Sequence, residues 1–103
     1  MKVQKPLVSV LFPVYNGEVY LEEAIHSILD QNYDNFEIII INDGSIDDSS
    51  AVIQNFSDSR IRFYENRTNQ GLAFTLNRAI NLSKGDYLAR QDQDDISLPE
   101  RFE

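Results

Sequence analysis

The residues best suited to chemistry stand near the end of the chain, where Asp92-Gln93-Asp94-Asp95 places three carboxylates within four positions. Such a cluster repels itself unless a positive charge joins it, and its oxygen ligands suit a hard divalent cation, Mg²⁺ or Mn²⁺. A second polar turn, Asn42-Asp43-Gly44-Ser45, offers an amide, a carboxylate and a hydroxyl around one glycine. Each turn follows directly on a run of strand character, Asp86 to Gln91 before the acidic cluster and Phe36 to Ile41 before Asn42. Ligands of open α/β sheets bind beyond the carboxyl ends of the strands. The two turns therefore point to a metal-assisted site for a nucleotide or phosphate. No G-x-G-x-x-G is present, which disfavours a nicotinamide dehydrogenase.

The elements that must position these turns are legible as apolar periods. Leu7–Phe12 reads as a first strand, and Pro13-Val14-Tyr15-Asn16-Gly17 as the loop after it. Leu21, Ala24, Ile25, Ile28 and Leu29 recur at helical spacing. Phe36–Ile41 is apolar and β-branched without alternation, as a central strand covered on both faces requires. Ser45 is positioned to cap a second helix, with Asp47 and Asp48 in its first turn and Val52, Ile53 and Phe56 on its buried face. Arg60–Tyr64 alternates, predicting a more exposed strand. Leu72, Leu76, Ala79, Ile80 and Ser83 trace a third helix, stopped at Lys84-Gly85. Strands alternating with helices predict a three-layer α/β/α sandwich on a mainly parallel sheet, ordered third, second, first, fourth strand.

Composition narrows the function. The 103 residues make at most one small domain, 42% of them hydrophobic, enough for one core. A formal net charge of -8 and a pI near 4.4 argue against nucleic acid as a partner. There is no cysteine, so neither disulfides nor thiolate metal sites arise. No signal peptide or membrane span is read within the sequence, and a cytoplasmic location is expected, with peripheral association at the inner membrane face left open. Ser97-Leu98-Pro99-Glu100 has the form of a helix start about one turn before Glu103, so residues 1–103 are expected to be the amino-terminal portion of a longer protein. Truncation would expose apolar surface and favour self-association.

The motifs taken together resemble a known family. Pro13-Val14-Tyr15-Asn16-Gly17, Asn42-Asp43-Gly44-Ser45, Asn69-Gln70-Gly71-Leu72 and Asp92-Gln93-Asp94-Asp95, in that order, are similar to family 2 glycosyltransferases of the GT-A fold. Gly85–Asp92 running into Ile96–Arg101 is similar to bacterial members that build surface polysaccharides. The resemblance implies a nucleotide-diphosphate sugar donor, usually UDP-linked, transfer with inversion, and an acceptor glycan or lipid-linked saccharide. It implies a nucleotide-binding set of Pro13, Val14, Tyr15, Asn16, Glu18, Asp43, Arg67, Asp92 and Gln93. Asp94 and Asp95, with Asp92, would hold Mg²⁺ or Mn²⁺ between the phosphates, and Asp92 alternatively the ribose. Asp43 would accept the imide N–H of uracil. The general base that inversion requires matches no residue here and is expected beyond Glu103.

Plainer readings stand beside several of these. Tyr15 reads equally as a base-stacking ring or a surface aromatic, and Glu18 as a nucleotide contact or a favourable charge at a helix start. Arg67 and Arg90 are both candidates to meet phosphate; Arg67 also reads as a loop charge, and Arg90 adjoins the acidic cluster. His26 falls off the apolar helical face and is expected to be exposed and without function, and Phe63 and Tyr64 to pack on the sheet. The other classes in view are a receiver-like phosphoacceptor domain and a non-catalytic nucleotide-binding module. The former needs a lone acceptor aspartate and a late lysine, neither of which is recognisable.

Overall fold

The computed structural model describes residues 6–92. Val8–Val14 (β1) and Phe36–Asp43 (β2) are buried at every position. Ile38, Ile39, Ile40 and Ile41 are each 0% exposed, so both faces of β2 lie in core. A buried aliphatic side chain stabilises by about 1.5–3 kcal/mol, so this run anchors the fold. Ile61–Asn66 (β3) and Tyr87–Arg90 (β4) flank the central pair and are half-buried or exposed, apart from the buried Asn66. The four strands form one parallel sheet of order β3-β2-β1-β4, the order expected from the sequence.

Helices cover both faces. Glu18–Leu29 (α1) and Ser49–Gln54 (α2) pack against one, where Leu21, Ala24, Ile25, Ile28 and Ile53 meet the even-numbered residues of β1 and β2. Leu72–Leu82 (α3) covers the other, where Ala79, Leu76 and Leu82 meet Leu11, Ile39 and Ile41. The period-2 alternation of a strand divides the two cores. The arrangement is the three-layer α/β/α sandwich. His26 is exposed, edge-on to Phe56 at 4.9 Å between ring centroids.

Several boundaries differ from expectation: β2 runs on through Asn42 and Asp43, which read as a turn, and β3 spans Ile61–Asn66 instead of Arg60–Tyr64. Pro13 and Val14 belong to β1, not to the loop after it, and pair with Ile41 and Asn42 of β2. Proline is tolerated because pairing with β4 has ended by then: that ladder stops at Leu11↔Arg90, and Gln91 N–H donates to Leu11 O at 3.0 Å. Pro13 alternates onto that same side, beyond the last described pair of that ladder, so its missing N–H removes no bond from it. Ser45 does not cap α2, which starts at Ser49 after Asp48. Ser45 serves instead to tie two loops together at the site.

Candidate functional site

The carboxyl ends of β1 and β2 lead into two loops that are stitched side by side. Ser45 Oγ accepts the Asn16 N–H (2.9 Å), Ser49 Oγ the Gly17 N–H (3.0 Å) and Asp47 Oδ2 the Glu18 N–H (3.3 Å). In return Ile46 N–H donates to Asn16 Oδ1 (2.9 Å), and Ser45 Oγ is bonded to Asn42 Oδ1. The N–H groups of Asn16, Gly17 and Glu18, leading into α1, are thus satisfied by side chains of the neighbouring segment rather than by a cap of the helix's own. They are not spare donors for a phosphate. Asn16 takes a left-handed backbone, φ 49°, to make this crossing, a conformation asparagine tolerates better than most. Burial raises the cost of ionising Asp47, but the hydrogen bonds from Ser49 and the Glu18 N–H outweigh it and hold its carboxyl below the ordinary range.

Asp43 ends β2 and is 4% exposed. Its Oδ1 accepts Asn66 Nδ2 and Gln70 N–H, each at 2.8 Å. Its Oδ2 accepts Gly71 N–H at 3.0 Å and Asn69 Nδ2 at 3.2 Å. Four donors fill the acceptor positions of an ionised carboxylate. Asp43 therefore pins the segment that opens α3 to the end of β2. Thr75, wholly buried, continues the network by accepting Asn66 Nδ2 (3.0 Å) and donating to Gly71 O (2.9 Å). Gly44 completes the turn at φ +71°, and a Cβ there would lie 2.5 Å from Asn69 N and 2.6 Å from the Thr68 carbonyl carbon. Only glycine permits both the conformation and the contact.

Between these loops and β4 lies an open cleft of about 370 Å³. Pro13, Val14, Tyr15, Asp43 and Asp92 line it, together with Asn69, Gly71, Leu72, Thr75 and Arg90. Five positions selected from sequence therefore converge on one cavity at the carboxyl edge of the sheet. Tyr15 is 46% exposed there. Arg90 Nε donates to Asp92 Oδ1 at 3.0 Å, an ion pair whose side chains are 49% and 45% exposed.

Three other candidates stand apart from the cavity wall. Asn16 is exposed and engaged in the loop stitching; Glu18 is exposed in the first turn of α1; Arg67 is exposed in the loop after β3. Gln93, Asp94 and Asp95 lie outside the described residues. Among the described residues no three His, Cys, Asp or Glu side chains gather to hold a metal. Asp92, a hard oxygen donor half open to solvent at the cleft, has the chemistry to contribute to such a site. Thr75 was not foreseen: a threonine at a helical period carries no signal of the carboxylate network it joins. Among the described residues no helix is long and apolar enough to cross a membrane.

Residues 9–103 match the profile of Glycosyl transferase family 2. EpsE of Bacillus subtilis (strain 168), whose name assigns it glycosyltransferase activity, is 43% identical over 101 residues, covering 95% of this chain and 36% of that protein. The crystal structure of S. aureus TarS 1-349 in complex with UDP superimposes with a TM-score of 0.84 at 26% identity, covering 90% of this chain and 29% of that one. The mannosyltransferase PcManGT from Pyrobaculum calidifontis, solved in complex with GDP-Man and Mn²⁺, shares the fold with a TM-score of 0.83 at 23% identity, covering 90% of this chain and 29% of its own. The chain spans about a third of the length of these proteins. It belongs to glycosyl transferase family 2, as part of a GT-A domain.

Proposed function

We propose that the cleft binds the nucleoside diphosphate of a nucleotide-sugar donor, with UDP-sugar the preferred class, and that the chain forms the donor side of an inverting, metal-dependent glycosyltransferase in cell-surface polysaccharide synthesis. The observation that carries the reading is the convergence of Pro13, Val14, Tyr15, Asp43 and Asp92 on one cavity at the carboxyl edge of the sheet. UDP in the related TarS crystal supports the choice of nucleobase.

Tyr15, exposed at the mouth, offers a face on which the base stacks, worth about 1–3 kcal/mol. Asp43 reads a base N–H by exchanging its longest partner, the amide of the exposed Asn69, for that donor. Asn16, Glu18 and Arg67 act indirectly: Asn16 fixes the loop that carries Tyr15, Glu18 faces solvent at the helix start, and Arg67 adds positive charge beside the Asn69 loop. Asp92, Asp94 and Asp95, with Gln93 among them, would hold Mg²⁺ or Mn²⁺, which would supply positive charge to stabilise the diphosphate leaving group. The acceptor is a glycan or lipid-linked saccharide, and no residue among these 103 matches the base that takes its hydroxyl proton. A cytoplasmic setting suits a nucleotide-sugar donor.

Calorimetric titration of UDP tests this. Binding is expected in Mn²⁺ and, weaker but measurable, in EDTA, and Asp94→Asn weakens it in Mn²⁺ while slightly helping it in EDTA by removing a repulsive charge. Equal loss in both conditions would falsify the metal role of Asp94.

A further inference from the structure

Two carboxylates of the described residues line the cleft, and they are neutralised differently. Asp43 is met by neutral amide donors and buried, whereas Asp92 is met by a guanidinium and half open. Arg90 is the cationic side chain among the described residues lining the cavity. It is the last residue of β4, so the sheet fixes its backbone while its side chain remains 49% exposed. An ion pair this exposed contributes little to stability, so exchange of partners is inexpensive. A divalent cation and a guanidinium compete for the same Asp92 oxygens, while a diphosphate offers the guanidinium more negative charge and paired oxygens for a bidentate contact.

We propose that Arg90 is the partner-exchanging cation of the cleft: it holds Asp92 while the cleft is empty and passes to the diphosphate oxygens when a divalent cation takes that carboxylate. The inference rests on the nucleotide reading of the cleft and adds a coupling to it. Metal then favours nucleotide in two ways, by bridging and by releasing Arg90. It also assigns opposite signs to one substitution. Arg90→Gln removes the competitor for Asp92 and the partner of the diphosphate together.

The experiment measures Mn²⁺ binding by electron paramagnetic resonance without nucleotide, and UDP binding by calorimetry in saturating Mn²⁺, for wild type, Arg90→Gln and Arg90→Lys. Thermal melting checks that the variants fold equally. Arg90→Gln is expected to bind Mn²⁺ about two- to fivefold more tightly and UDP about three- to tenfold more weakly, on the scale of exposed and charge-assisted pairs. Arg90→Lys falls between, keeping charge without the fork. Unchanged Mn²⁺ affinity in Arg90→Gln, with wild type binding UDP normally, overturns the exchange and leaves the nucleotide site standing. Loss of both affinities overturns it too, by making Arg90 a structural support. Failure of wild type to bind UDP overturns the nucleotide reading and this inference with it.

Discussion

The strand β2 carries a buried carboxylate near each end of its α3-facing side, and the two are used in opposite ways. Glu37 at the amino end accepts Ser9 Oγ (2.6 Å), Lys84 N–H (2.7 Å) and Arg62 Nη1 (2.9 Å). Arg62 also bonds Leu82 O at 2.8 Å, so the pair clamps the carboxyl end of α3. Asp43 at the other end clamps the amino end of α3 through Gln70 and Gly71. One helix is therefore pinned at both ends by one strand. The difference is in the charge: Glu37 has a counter-ion and stands away from the cleft, while Asp43 has neutral donors and lines that cleft of about 370 Å³. The helix start supplies positive dipole to Asp43 in place of a cation. A fully compensated carboxylate is a fastening; one held by dipoles beside open space retains negative potential that a ligand can feel.

The comparison is broken most severely by Asp43→Ala. It strands the N–H groups of Gln70 and Gly71 and leaves the Asn66 amide with Thr75 alone, at a cost of about 4 kcal/mol in urea unfolding, and UDP titration should show no binding. Gly44→Ala comes next, at about 3 kcal/mol, because it adds a left-handed strain to a backbone clash at Asn69. Its signature is displacement of the Asn69–Gly71 amide resonances with those of Ser9 and Lys84 in place.

Glu37→Gln sharpens the other half. It should cost about 2 kcal/mol while leaving UDP affinity unchanged. Burial opposes ionisation of Glu37, but the hydrogen bonds from Ser9, Lys84 and Arg62 outweigh it and hold its carboxyl below the ordinary value of 4.5. A depressed folded-state value means that the stabilisation is fully present above the ordinary carboxylate range and is lost as pH falls through and below it. Urea midpoints between pH 7 and pH 3 should fall more steeply for wild type than for Glu37→Gln; parallel curves would show that the clamp is not ionic. The smallest effect on the fold belongs to Tyr15→Ala. Its unfolding midpoint stays within about 0.5 kcal/mol of wild type, while UDP affinity drops on the scale of about 1–3 kcal/mol of stacking.

The same contrast explains what the sequence could disclose. The buried run at Phe36–Ile41 and the apolar faces of α1 and α3 are local periods, written in consecutive residues, and the alternation of strands with helices carries the sheet order. Pro13 reads as a strand breaker because nothing local says that β4 has already stopped pairing. Ser45 has the composition of a cap, yet its hydroxyl is claimed by Asn16, 29 residues away. Within the site, Tyr15, Asp43 and Asp92 are legible because they follow strands. The donors to Asp43 lie 23 to 28 residues further on and Thr75 joins them through Asn66, so the pinning of α3 emerges only once the fold closes.

Amide chemical shifts followed during titration of the protein with UDP and Mg²⁺ test the central claim most directly, because they report the two ends of β2 in one experiment. The expected result is progressive, saturable shifts at Tyr15, Asn69, Gly71 and Thr75, with Ser9, Lys84 and Gly85 unmoved. Shifts concentrated around Ser9, Glu37 and Lys84, or uniform small shifts across both ends, would contradict a nucleotide site at the carboxyl edge of the sheet.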